Sequence, residues 1–147
     1  MSIRIVQLGT RRLPDEGLRL GTVRRPPRGV PKSQFASRDF YDVWVPDLAP
    51  SAAVIKSFQR SAGTDADWRR LEKAYRAEMR RPERARLCEL LAALSKRTSF
   101  SVGCYCEDEQ RCHRSILESI LREHGADIAG RRAPGPRVGR VRRQRPI

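Results

Sequence analysis

Eleven consecutive residues, Cys104-Tyr105-Cys106-Glu107-Asp108-Glu109-Gln110-Arg111-Cys112-His113-Arg114, hold three of the chain's four cysteines and one of its two histidines. This is the densest concentration of groups able to act as nucleophile, proton carrier or metal ligand. In a strand, side chains alternate, so Cys104 and Cys106 share one face, about two residue rises apart. If a helix opens at Cys112-His113-Arg114, its first turn offers unpaired N–H groups and the positive end of the helix dipole. A thiol held there ionises more readily, and a neighbouring guanidinium pushes the same way.

Three readings of this stretch compete. Cys104, Cys106, Cys112 and His113 are the right types and number for zinc. However, C-x-C-x5-C-H lacks the two separated pairs of a familiar finger, and adjacent Cys112 and His113 reach one ion poorly from a regular turn. No metal is therefore assigned. In a reactive-thiol site, Cys106 or Cys112 is the nucleophile and Glu107 or His113 carries the proton, with arginines clamping an anion. No C-x5-R phosphatase loop is present, because the residue six after Cys106 is Cys112. In the third reading the cysteines are small buried hydrophobes. Cys88, on a helix of its own, is read that way. Disulfides are not expected without an export signal, although Cys106 and Cys112 could lie close enough for a redox pair.

Positioning these residues requires a strand before the cluster and a helix after it. Residues 99–106 read as that strand, with Phe100, Val102, Cys104 and Cys106 on one side. Ile116, Leu117, Ile120 and Leu121 mark the helix, which ends at Gly125. Residues 126–129 suggest a short edge strand. Upstream, Ile3–Leu8 and Leu18–Val23 read as strands, and Arg24–Lys32 is a basic loop broken by three prolines. Tyr41–Val45 is a candidate strand. Ser51 caps a helix carrying Val54, Ile55 and Phe58. Asp65 or Asp67 caps the next, with Trp68, Leu71, Tyr75 and Met79 at helical spacing. Pro82 starts a third, whose buried face is Leu87, Leu90, Leu91 and Leu94. Trp44, Trp68 and Tyr75 are read as core. These elements predict a small single-domain α/β sandwich over residues 1–129, its mostly parallel sheet flanked by helices.

The 147 residues carry 31 basic and 17 acidic side chains, a net charge of +14. Residues 131–147 hold seven arginines and no acid, and therefore half of that charge. With little to bury, residues 130–147 are read as a disordered Arg-rich tail able to attract nucleic acid through phosphate charge. The same arginine bias also arises from a GC-rich genome. No run approaches the roughly 18 apolar residues of a membrane helix, and Met1-Ser2-Ile3-Arg4 opens no signal peptide. A cytoplasmic protein with no membrane role is expected.

The motifs resemble a known family. Cys106-Glu107, four residues, then Cys112-His113-Arg114 looks like the C-E…C-H-R signature of the bacterial domain-of-unknown-function 488 family. Gly17-x-Arg19, Arg24, Pro27-Arg28-Gly29 and Lys32 resemble its YeaO-like branch. So do Trp44, Pro50-Ser51, Phe58 and Tyr75-x-x-Glu78-Met79. The chain departs from the branch pattern at Val23, where the family has Asp, and at Pro26, where it has Trp. YeaO-like members commonly lack the Cys-His-Arg part that this chain has. The resemblance covers roughly residues 3–129 and implies a compact α/β domain without supplying a reaction.

In parallel sheets, ligands gather beyond the carboxyl ends of the strands. Arg24 and Arg28 leave the second strand, and Cys106 and Glu107 leave the late one. Together with Cys112, His113 and Arg114 they predict an electropositive pocket. The catalytic candidates are Cys106, Glu107, Cys112 and His113, and the anion-binding candidates are Arg24, Arg28 and Arg114. The partner expected there is an anionic small molecule or nucleotide. The sequence names no cofactor, and it leaves open whether the chain is an enzyme. A non-catalytic nucleic-acid-binding module, using the basic body and tail, is the alternative.

Overall fold

The computed structural model describes residues 1–106 and 111–130. Glu107 and the Arg-rich segment from residue 131 lie outside the described residues.

Four strands form one sheet: β1 (Ile3–Gln7), β2 (Leu18–Gly21), β3 (Val43–Trp44) and β4 (Phe100–Cys104). Their order is β1-β4-β2-β3, and every pairing between them is parallel. β4 sits between β1 and β2, with all five residues buried. A central parallel strand is covered on both faces and needs no polar side. The expected edge strand is reduced to one parallel bridge, from Ile128 to Ile3.

The helices are α1 (Ala52–Gln59), α2 (Asp65–Met79), α3 (Pro82–Leu94) and α4 (His113–Glu123). Ser51 caps α1, its hydroxyl accepting the Val54 N–H. Thr64, rather than Asp65 or Asp67, caps α2, and Asp67 completes a reciprocal capping box with it. Pro82 opens α3. One apolar core joins sheet residues Ile3, Leu20, Phe100 and Val102 to Leu71, Tyr75, Met79, Leu91, Leu117 and Leu121 from the helices. Val54 and Phe58 of α1 pack against it. The helices therefore cover the sheet face that carries these residues.

The alternate face carries Val6, Arg19, Gly21, Ser101 and Gly103. It is covered by the irregular segments after β1 and β2. A Cβ on Gly21 would come within 2.3 Å of the Tyr41 ring, so only glycine admits this close cover. Beneath it lies a buried ion pair. Arg19 donates to both Glu16 carboxylate oxygens (2.7 and 3.0 Å) and to the carbonyls of Thr10 and Asp39. Glu16 also accepts from the Ser101 hydroxyl and the Leu13 N–H. Both charges thus meet the requirement for burial, pairing plus full hydrogen bonding.

Two packing expectations are corrected. The buried stripe of α3 runs one residue further on, through Cys88, Leu91, Ala92 and Ser95, while Leu90 and Leu94 are exposed. Tertiary packing turns the helix away from its most apolar arc. Trp44 is 43% exposed rather than core. Its indole N–H donates to the Val23 carbonyl at 2.7 Å, so the ring lies over the end of β2. Tyr75 is fully buried and Trp68 partly so, as expected.

Candidate functional site

The sheet has a point where the chain's direction reverses. After β2 it moves outward to β3; after β4 it passes through α4 to Ile128, on the far side of β1. The crevice beyond the carboxyl ends of β2 and β4 is where such sheets place ligands. Gly21-Thr22-Val23 leaves one strand there, and Cys104-Tyr105-Cys106 leaves the other.

Thr22 ties the two ends together. Its N–H and hydroxyl both donate to the Gly103 carbonyl, at 3.0 and 2.9 Å. Its own carbonyl lies 2.5 Å from Nε2 of His113. A carbonyl only accepts, so Nε2 carries the proton and Nδ1 is left with a lone pair. Nδ1 is buried and has no hydrogen-bond partner among the described residues. His113 is 1% exposed. Burial, helped by the charges of Arg114 and Arg24, lowers its pKa to about 4 despite the Thr22 bond. The ring is therefore neutral near pH 7.

Cys112 is the N-cap of α4, and its side chain makes no cap hydrogen bond. The sulfur turns instead toward β4. The Sγ atoms of Cys104, Cys106 and Cys112 all lie within 4.8 Å of one another, and all three residues are buried. The sulfurs of Cys104 and Cys112, rather than those of Cys106 and Cys112, meet in disulfide contact, across α-carbons 7.8 Å apart, a wider span than cystine usually takes. Cys106 and Cys88 stay outside the disulfide, as thiols. Leu8, Val23, Phe40 and Tyr41 complete the apolar wall around the sulfurs. Cys88 stands apart in the main core, where burial pushes its thiol up to about 11. That fits its reading as a small hydrophobe.

The arginines divide. Arg114 is 2% exposed, and Arg24 is half-buried, donating to the carbonyls of Pro50 and Ala49. Both lie close enough to His113 to act on its ionisation. Arg28 is exposed on the loop after β2. Arg111 is engaged elsewhere, with Asp65 and over the Trp68 ring. An open cleft of about 490 Å³ lies away from the sulfurs, between α2 and α4, lined by Trp68, Glu72, Glu118 and Arg122 among others.

Over residues 3–125 the chain matches the family model described as DUF488-N3a, "Active DUF488-N3 subclade". The chain belongs to the DUF488 family. Comparison of this DUF488 chain with curated proteins and with solved structures finds no match. No helix among its described residues is long and apolar enough to cross a membrane.

Of the residues singled out from sequence, the DUF488 fold gathers Cys106, Cys112, His113, Arg114 and Arg24 around the ends of β2 and β4. Cys104 is an addition to the catalytic candidates; it ends β4, whereas Cys106, expected in the same strand, lies two residues beyond it. Thr22 gives no signal in the sequence, because its part is played mostly by the backbone.

Proposed function

We propose that this DUF488 domain binds an anionic small molecule or nucleotide at the crevice beyond β2 and β4 and acts on it by thiol chemistry. One observation carries this reading: a buried, neutral His113 stands at the first turn of α4, with Arg24 and Arg114 beside it and three sulfurs converging from the neighbouring strand and cap. Cys106 is the nucleophile favoured here, since its sulfur is a thiol whether or not Cys104 and Cys112 are joined. Arg24 and Arg114, with the N–H groups of the first turn of α4, supply the attraction for an anion. His113, its pKa lowered to about 4, is a weak base and serves to position the first turn of α4 through its Thr22 bond. Glu107, one residue past Cys106, is the proton carrier favoured here. Arg28, from its exposed loop, extends the positive field without lining the buried part. The description of the matching subclade as active agrees with a catalytic role.

The test is a thermal-shift and calorimetric screen of nucleotides and phosphorylated small molecules on the reduced chain. A bound anion should lose about 10- to 100-fold in affinity in Arg24→Ala, the range of one charge-assisted hydrogen bond. Cys106→Ser should bind it but not turn it over. Equal affinity in Arg24→Ala, or turnover in Cys106→Ser, would remove those residues from the site.

A second reading, a non-catalytic nucleic-acid-binding module, is favoured by the net charge of +14 alone. It calls for sequence-blind, salt-steep binding.

A further inference from the structure

We propose that Cys104, Cys106 and Cys112, when reduced, form a trithiolate site for one soft divalent ion of the zinc class. Three observations converge. First, the sulfurs come from the end of β4, the segment just after it and the cap of α4, and still lie within 4.8 Å of one another. Sulfurs around one zinc, each about 2.3 Å from it, stand roughly 3.8 Å apart in tetrahedral geometry. A small relaxation reaches that spacing. Second, the α-carbons of Cys104 and Cys112 are 7.8 Å apart. Cystine usually spans about 4.4–6.8 Å, so the backbone holds these residues farther apart than a disulfide prefers. An ion inserted between the sulfurs suits that span. Third, Cys112 caps α4 without using its side chain for the helix, which leaves its sulfur for the shared centre.

Charge and solvent agree with this chemistry. Three thiolates and a divalent ion sum to a single negative charge. The N-terminal turn of α4, which Cys112 itself caps, offsets an anion. The apolar wall of Leu8, Val23, Phe40 and Tyr41 suits soft thiolate ligands rather than oxygen-seeking magnesium or calcium. His113 is not in the ligand group, because its Nε2 bonds the Thr22 carbonyl and the sulfurs alone form the cluster. Three protein ligands leave one position open, the pattern of zinc sites that meet a substrate or water.

The inference goes beyond the thiol reading and is measured separately from it. A bound ion would hold Cys106 as a ligand and withhold it from nucleophilic attack. The full chain is reduced, stripped with chelator, freed of the chelator and titrated with Zn²⁺, and in parallel with Cd²⁺. The expected result is one ion per chain, with a thiolate-to-cadmium charge-transfer band in the ultraviolet. Zinc should also slow alkylation of Cys104, Cys106 and Cys112 at least tenfold. Cys104→Ser, Cys106→Ser and Cys112→Ser should each lose the stoichiometric site, with folding checked by circular dichroism, and Cys88→Ala should keep it. Should a serine variant fail to fold, the wild-type stoichiometry and alkylation protection decide alone. No stoichiometric ion in the reduced wild-type chain would overturn the proposal. So would an ion that survives in the folded serine variants, or a Cys104–Cys112 disulfide that resists reduction. Failed anion binding with intact metal binding would overturn only the function proposed above.

Discussion

The imidazole of His113 donates to the backbone carbonyl of Thr22 across 2.5 Å, joining the first turn of α4 to the end of β2. That bond fixes the tautomer. It also places a neutral ring where burial and two arginines oppose its protonation.

A pH dependence of stability follows. The folded pKa of His113, about 4, lies below its ordinary value of 6.5, so the unfolded chain takes up the proton first. Stability contributed by the neutral ring is complete above about pH 6.5 and is lost as pH falls toward about 4, by roughly 3 kcal/mol in all. Urea unfolding of reduced protein with chelator present, followed from pH 7 to pH 4, should show this loss. His113→Gln, whose amide can still donate to Thr22, should lose less over the same range. Parallel curves for the two proteins would contradict a buried neutral ring.

The Glu16–Arg19 pair should act structurally. Removing one partner of a buried pair typically costs about 3–5 kcal/mol, because the other charge is stranded. Arg19→Met should therefore lower the melting temperature sharply. Arg19→Lys should not restore it, since an ammonium cannot span four acceptors in a planar fork. Burial pushes the Glu16 carboxyl up, but bonds from Arg19, Leu13 and Ser101 outweigh it and hold the carboxyl below the usual range. Its contribution is present above the ordinary carboxylate pKa and is lost as pH falls through the lowered one. A mild effect of Arg19→Met would show the pair to be dispensable.

Two glycines of the family motifs should behave differently. Gly17 has φ +77°, and a Cβ there would lie 2.0 Å from the Ser99 carbonyl oxygen. Gly29 has φ +71° with nothing within 4 Å. Both alanine variants meet the left-handed penalty of about 1–2 kcal/mol. Only Gly17→Ala adds a backbone clash. Thermal melts should rank Gly17→Ala far below Gly29→Ala, and equal melting temperatures would refute the clash.

If nucleic acid is a partner, deleting residues 131–147 removes seven arginines. Affinity for duplex DNA should fall. The slope of log affinity against log salt should flatten by about one for each phosphate that the tail had neutralised. An unchanged slope would assign any binding to the body of the domain.

Much of the fold is legible where local chemistry leaves few options. The strand–loop–helix frame around the cysteines is one case, and the helix starts at Ser51 and Pro82 are others. The alternation in Phe100–Cys104 marks a strand, but nothing in the sequence places it between β1 and β2, because strand order is set by long-range pairing. The stripe of α3 escapes a reading by residue type because leucine marks an apolar residue, not the direction the core lies in. Trp44 has a core residue's type, although the strand it belongs to ends beside the crevice. Arg19 looks like a surface cation in the sequence, and only the fold reveals the acceptors that surround it. At the site, the placing of Cys104 and Cys106 at the end of a strand is readable, although the strand stops at Cys104. The reach of Cys112 back to them depends on the packing of α4.

The central strand of the sheet is its last to be synthesised. β1 and β2 do not pair with each other; each pairs with β4, about 80 or more residues downstream in the chain. A ribosome-bound chain ending before Phe100 therefore has helices but no partner strand to close the sheet. β4 also carries Cys104, and Cys106 follows directly after it. Closing the sheet is consequently a prerequisite for the site, which Cys112 and His113 complete only once α4 has followed, so a chain interrupted before β4 would hold neither.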